Sequence, residues 1–187
     1  MNPLETPLGF STNFLFVPGT RPERFMKALD SGASGVVLDL EDAVAEEDKE
    51  NARNAIRSAW PSFSAEQKQR LVIRTNSPGS KFYAADLILA QELQVTCLLI
   101  PKSESRDQMN GVALMLPNTA IIPMIETAIG LDQLKEIANA NQVIRLALGN
   151  LDLQADLGMI CDRQETELQT ARYQICLLYT SPSPRDS

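Results

Sequence analysis

Two carboxylates stand where apolar runs end: Glu126 closes Ala120-Ile-Ile-Pro-Met-Ile-Glu126, and Asp152 closes Ile144-Arg-Leu-Ala-Leu-Gly-Asn-Leu-Asp152. Each run reads as a strand leading into a helix. In parallel α/β architectures the loops that carry chemistry gather at the C-terminal strand ends, so the two side chains are expected to face one pocket. Two oxygen ligands at one mouth suit a hard divalent cation such as Mg²⁺. The plainer alternative is that Glu126 caps the helix beginning near Thr127 and that Asp152 sits in an ordinary turn. The chain has no histidine, which removes imidazole acid–base catalysis, Ser–His triads and most zinc sites. Cys97, Cys161 and Cys176 follow no pairing rule.

The elements that must position these groups alternate in type. Expected strands are Asn13 to Val17, Gly35 to Leu40, Leu71 to Arg74, Thr96 to Ile100, the run ending at Glu126, and Ile144 to Leu148. Expected helices between them are Pro22 to Ser31, Glu47 to Ala59 stopped by Trp60-Pro61, Phe82 to Leu93, Arg106 to Met115 and Leu131 to Ala140, with another over Thr166 to Ile175. Helices on connections too long for hairpins argue for parallel β/α units. An eight-stranded barrel takes about 250 residues, and six units would also complete a doubly wound sheet. Polar residues recur at the strand ends, with Asp39, Glu41 and Asp42 after the second, Arg74 after the third, Lys102 after the fourth, then Glu126 and Asp152. That radial ring favours a barrel mouth, and the glycine-rich phosphate loops expected at the switch point of an open sheet are absent.

A formal charge of -7, with acidic residues spread along the chain, disfavours nucleic acid as a partner. No apolar run approaches the roughly 18 residues of a membrane span, and Met1 to Thr12 lacks the pattern of a signal peptide, so a cytoplasmic location without membrane attachment is expected.

Several segments then resemble a known family. Phe16-Val-Pro-Gly-Thr-Arg-Pro-Glu-Arg24, Val36-Val-Leu-Asp-Leu-Glu-Asp-Ala-Val44 with Lys49 and Ala52-Arg53, Val72-Ile-Arg-Thr-Asn76, Ile100-Pro-Lys102, Met124-Ile-Glu-Thr-Ala-Ile-Gly130 and Gly149-Asn-Leu-Asp152 are similar, in order, to the HpcH/HpaI aldolase and citrate lyase β-chain group of CoA-ester lyases. The resemblance implies a Mg²⁺-dependent (β/α)₈ TIM barrel that cleaves or forms carbon–carbon bonds in 3-hydroxyacyl-CoA thioesters such as citryl-, malyl- or citramalyl-CoA, usually as a homotrimer. It implies that Glu126 and Asp152 hold the metal and that Arg74 binds substrate, with Glu126 and the Gly149-Asn150-Leu151 backbone also lining the substrate pocket. Asp39, Glu41 and Asp42 would orient Arg74 or metal-bound water, or serve as helix-start residues. Phe16, Lys27, Lys49 and Arg53 are the candidate CoA contacts, although Glu23 stands where some relatives carry lysine.

By the same resemblance residues 1–175 form an incomplete barrel domain, truncated after about six β/α units and inactive as it stands. A C-terminal acidic residue that completes the family's site, often from a neighbouring subunit, would lie beyond this sequence. The string Cys176-Leu-Leu-Tyr-Thr-Ser-Pro-Ser-Pro-Arg-Asp186 resembles one reading frame of a sequencing-library transposon adapter, so residues 176–187 are expected to be a non-native tail. Two other readings stay open: an aldolase of free hydroxy-keto diacids, whose members usually bring a histidine base, and a non-catalytic fragment.

Overall fold

The computed structural model describes residues 7–180. Strands β1 (Phe14–Pro18), β2 (Gly35–Asp39), β3 (Leu71–Arg74), β4 (Cys97–Ile100), β5 (Ala120–Ile125) and β6 (Ala147–Leu148) form one sheet in chain order, every neighbouring pair parallel. Helices α1 (Phe25–Leu29), α2 (Lys49–Ala59), α3 (Ala65–Gln69), α4 (Tyr83–Glu92), α5 (Arg106–Met115), α6 (Ala128–Asp132), α7 (Leu134–Ala138), α8 (Asn150–Asp156) and α9 (Gln169–Thr180) fill the connections and follow the last strand. This is an α/β fold whose six-stranded parallel sheet curls into a half barrel. The curl brings its two ends together, since the Arg145 guanidinium just before β6 lies 5.3 Å over the Phe14 ring of β1.

Period-two alternation divides the strands between two faces. Val36, Leu38, Leu71, Ile73, Leu98, Ile100, Ile121 and Ile125 point outward into the main core beneath the helices. Val37, Val72, Cys97, Leu99, Ala120, Ile122 and Met124 point inward and form a separate buried cluster with Leu8, from the short 3₁₀ turn Pro7–Phe10. Burial on both faces explains why β2 to β5 read as continuous apolar runs.

The structure departs from the sequence expectations in four places. The last expected strand, Ile144 to Leu148, pairs only over Ala147–Leu148 plus an isolated bridge at Val143. The expected helix Leu131 to Ala140 is two short helices, α6 and α7, joined at Gln133. Trp60-Pro61 ends α2 but continues as a 3₁₀ turn, after which Ser64 starts the unexpected α3 through a capping box with Gln67. The last helix runs past Ile175 to Thr180, with Ile175 and Leu178 against the main core.

Candidate functional site

The C-terminal ends of β2 and β3 are tied together by Asp39. Its carboxylate accepts the N–H groups of Glu41 (2.8 Å) and Ala43 (3.2 Å), closing the turn after β2. Its carbonyl accepts the Gly19 N–H at 2.8 Å, and a Cβ on Gly19 would lie 2.9 Å from that oxygen, so Pro18-Gly19 needs its glycine for close approach. Register places Arg74 beside Asp39, and the fork closes on it: Nε donates to Oδ1 at 2.7 Å and Nη2 to Oδ2 at 2.5 Å. Nη1 then reaches Asp42 Oδ2 and Glu41 Oε2, both at 3.2 Å, and the guanidinium stands 5.3 Å over the Phe16 ring. Burial opposes the charge on Arg74, but the Asp39 hydrogen bond and the surrounding carboxylates outweigh it and raise its pKa above the ordinary value. Glu41 is less well served. Burial, with the Asp42 charge adding, pushes its pKa up to about 8, and its Oε2 lies buried without a hydrogen-bond partner.

On the other side, β4 and β5 end at Lys102 and Glu126. Glu126 is buried and turned toward the mouth, its Oε2 accepting the Lys102 backbone N–H at 3.0 Å. It does not cap the following helix. That task falls to Thr127, whose hydroxyl accepts the Gly130 N–H at 3.0 Å. A Cβ on Gly130 would sit 2.5 Å from the Ser103 carbonyl, so the glycine lets the loops after β4 and β5 touch. Gly149 is cut away in the same sense, since a Cβ there would lie 2.4 Å from Glu126 Cγ and Oε1. Burial, and after it the nearby Asp152 charge, raises the Glu126 pKa, while the Lys102 N–H and the cations oppose the shift.

Asp152 lies in the first turn of α8, not at the end of a strand. Its Oδ2 is 3.2 Å from the Lys102 ammonium, which is also 3.8 Å from Glu41 Oε1. The mouth therefore carries a row of contacting ionisable side chains running Asp39, Arg74, Glu41, Lys102, Asp152, with Glu126 held against the Lys102 backbone. Lys102 is the functional candidate to which the sequence assigned no role. Its place in Ile100-Pro-Lys102 at a strand end was the available signal.

The remaining expected residues separate. Phe16 is partly exposed beside Arg74, and Lys27 is exposed on α1. Lys49 is buried and its ammonium donates to the carbonyls of Leu40 (2.8 Å) and Glu41 (2.7 Å). Arg53 is buried against Asp86 (2.9 Å) and Glu50 (2.8 Å). Both stand on the inward stripe of α2 with Ala52 and Ile56, so their donors are engaged inside the fold. The Gly149 N–H is taken by the Ile125 carbonyl at 3.0 Å, Asn150 Nδ2 donates to Glu165 at 2.7 Å, and the Leu151 side chain is exposed. Gly149 thus contributes space rather than a free donor.

The donor set suits a hard cation. Glu126 and Asp152 carry carboxylate oxygens, Gly149 leaves room around Glu126, and an ammonium already stands beside Asp152. Among the described residues no group of three or more His, Cys, Asp or Glu forms a closed cage. Such an open pair leaves positions for water and substrate oxygens, while the Arg74 guanidinium is held by Asp39 through Nε and Nη2 and shared by Asp42 and Glu41 at Nη1, so an incoming carboxylate or oxyanion would have to take a donor from those acidic partners.

Comparison with known proteins gives a consistent result. The sequence profile of the HpcH/HpaI aldolase/citrate lyase family matches residues 13–180. A citrate lyase subunit beta-like protein of Mycobacterium tuberculosis is 39% identical over 145 residues, covering 78% of this chain and 50% of that protein. A (3S)-malyl-CoA thioesterase of Cereibacter sphaeroides is 30% identical over 164 residues, covering 88% and 57%. The solved structure of protein CitE from M. tuberculosis in complex with magnesium, acetoacetate and coenzyme A superposes with a TM-score of 0.79 at 34% identity, covering 91% of this chain and 62% of that one. The chain spans about half the length of the curated relatives it matches.

Proposed function

Because this chain belongs to the HpcH/HpaI aldolase/citrate lyase family, we propose that its charged mouth is part of the active site of a Mg²⁺-dependent carbon–carbon lyase, or of a synthase running the reverse condensation, acting on 3-hydroxyacyl-CoA thioesters of hydroxy diacids. The observation that carries this reading is that both Glu126 and Asp152 contact Lys102, the first through its backbone N–H and the second through its ammonium, across Glu41 from an Arg74 locked by Asp39. The magnesium, acetoacetate and coenzyme A bound in the CitE structure support the same ligand classes here. Glu126 and Asp152 would hold the metal, which when bound supplies Lewis-acid stabilisation of substrate oxygens.

Cleavage of the bond between the thioester α-carbon and the carbinol carbon, with the carbinol O–H proton passing to a base, would leave a 2-oxo acid and a thioester enolate, whose protonation at the α-carbon gives the shorter acyl-CoA. Arg74 is placed to bind the acid's carboxylate or the enolate oxygen, and its bidentate anchor on Asp39 fixes its direction before charge develops. Glu41, between Arg74 and Lys102, keeps those two cations apart. For the CoA moiety Phe16 and Lys27 remain in the proposal, because Lys49 and Arg53 are committed internally.

The test is an assay of the purified gene product with Mg²⁺ and malyl-, citramalyl- or citryl-CoA. The expected products are a shorter acyl-CoA and a keto acid, with turnover abolished by EDTA. Release of free CoA and hydroxy acid alone would instead match the thioesterase relative, and EDTA-resistant cleavage would reject the metal role.

A further inference from the structure

We propose that Lys102 is a resident counter-ion of the metal site: its ammonium stands between Asp152 and Glu41 until a divalent cation binds, and its displacement sets how tightly that cation is held. The inference rests on the metal reading above and adds a residue to it. Three observations carry it.

The first is position. The ammonium lies 3.2 Å from Asp152 Oδ2 and 3.8 Å from Glu41 Oε1, while the same residue's N–H holds Glu126 Oε2 at 3.0 Å. The second is backbone conformation, with Lys102 at φ 47°, in the left-handed region that residues with a Cβ adopt uncommonly and at some cost. Strain at a site points to a conformation held by its surroundings for a purpose. Here one residue presents its N–H to Glu126 and its ammonium to Asp152. The third is exposure at the tip, for the side chain is 41% exposed and so is that of Asp152, giving the ammonium room to leave when a stronger cation arrives.

The sign of the effect follows. Glu126 is fixed by a backbone N–H, which a side-chain substitution at position 102 leaves in place, and Asp152 is fixed by the first turn of α8. Removing the ammonium therefore removes a competitor and leaves both ligands where they were. A single positive charge within a few ångströms of a dication in a partly exposed site corresponds to about tenfold in affinity.

The experiment is a Mn²⁺ titration followed by the electron paramagnetic resonance of the free ion, on wild type, Lys102→Met, Lys102→Arg and Asp152→Asn. Lys102→Met should bind Mn²⁺ about tenfold more tightly, Lys102→Arg should stay near wild type, and Asp152→Asn should lose measurable binding. Unchanged or weaker binding by Lys102→Met, with wild-type binding intact, overturns the counter-ion role and spares the metal reading. Absence of Mn²⁺ binding by wild type overturns both. A second readout needs no variant: acetic anhydride labelling of wild type, read by peptide mass spectrometry, should rise severalfold at Lys102 when Mg²⁺ is added while staying constant at the exposed Lys27. Labelling of Lys102 that ignores Mg²⁺ would equally overturn the proposal.

Discussion

The two ends of the curled sheet use charged residues for opposite purposes. At the floor, where the strands begin, Arg145 donates to the carbonyls of Ser11 (2.5 Å) and Leu8 (3.4 Å) and stacks on Phe14, stitching the segment before β1 to the one before β6. Around it Leu8, Cys97 and Ala120 are buried. Arg145 has neutral partners, as does Arg70 just before β3, which donates to the carbonyls of Leu29 and Ala33, so these cations tie the sheet without gathering anions. At the mouth, carboxylates from β2, the loop after it, β5 and α8 crowd around Arg74 and Lys102, and burial raises the pKa of both Glu41 and Glu126. The floor is satisfied by backbone, whereas the mouth holds unspent charge that a cation or an anionic substrate can relieve.

The sharpest way to break this contrast is at the mouth. Glu126→Ala or Asp152→Ala should lower Mg²⁺-dependent turnover by about 10³-fold or more, with a thermal midpoint within a few degrees of wild type, as steady-state rates and calorimetry on the same preparation would show. A collapse of the fold would mean that these carboxylates serve stability. Next in size is Arg74→Lys, expected to cost about 10²-fold in kcat/KM, because an ammonium cannot keep both bonds to Asp39 while reaching Asp42 and Glu41. Near-normal kinetics would show that the fork is dispensable.

What the sequence made legible follows the same division. β3 at Leu71–Arg74 and α5 at Arg106–Met115 were expected with these bounds, and the structure adds that a Ser105–Gln108 capping box starts α5. The mouth was legible as residue types at strand ends, which found Arg74, Glu126, Asp152 and the acidic group at 39 to 42. Space was not legible: that Gly149 must lack a Cβ, or that Lys102 turns left-handed, depends on how separate loops approach. Lys49 and Arg53 were named as CoA contacts by resemblance alone, and the spacing of Lys49, Ala52, Arg53 and Ile56 puts them on one buried stripe of α2. β6 shrank because a strand edge is defined by its partner, which its own apolar pattern does not record.

A smaller effect than loss of catalysis is expected in the pH dependence of stability. Glu41 in the folded protein titrates at about 8, above the 4.5 of an ordinary glutamate, because burial disfavours its charge. The folded state therefore binds the proton more tightly than the unfolded state does. This group costs nothing below about pH 4.5, and its cost grows as pH rises to about 8, then levels off. Glu41→Gln should remove that slope, so the variant's stability relative to wild type in EDTA should climb across the same window, by at most about 5 kcal/mol. Parallel denaturation curves at every pH would mean that Arg74 keeps Glu41 ionised throughout.

The smallest expected effect tests the floor. In Arg145→Met the apolar stem is replaced by a chain of similar length, so Phe14 keeps a packing partner while the donors to Ser11 and Leu8 are lost. The Ser11 carbonyl loses the close charged donor while the Leu8 carbonyl keeps the Ser11 N–H at 3.3 Å, so the loss is that of one charge-assisted hydrogen bond, about 2 kcal/mol, and the thermal midpoint should fall by several degrees. No residue of the mouth touches Arg145 through a described hydrogen bond or ion pair, so Mn²⁺ affinity and the rate per folded molecule should stay at the wild-type values. A fall in metal affinity in this variant, measured well below its midpoint, would mean that the floor sets the curvature of the whole sheet and with it the separation of β3 from β5. The two ends would then be one mechanical unit, and the contrast between closure and chemistry would have to be abandoned.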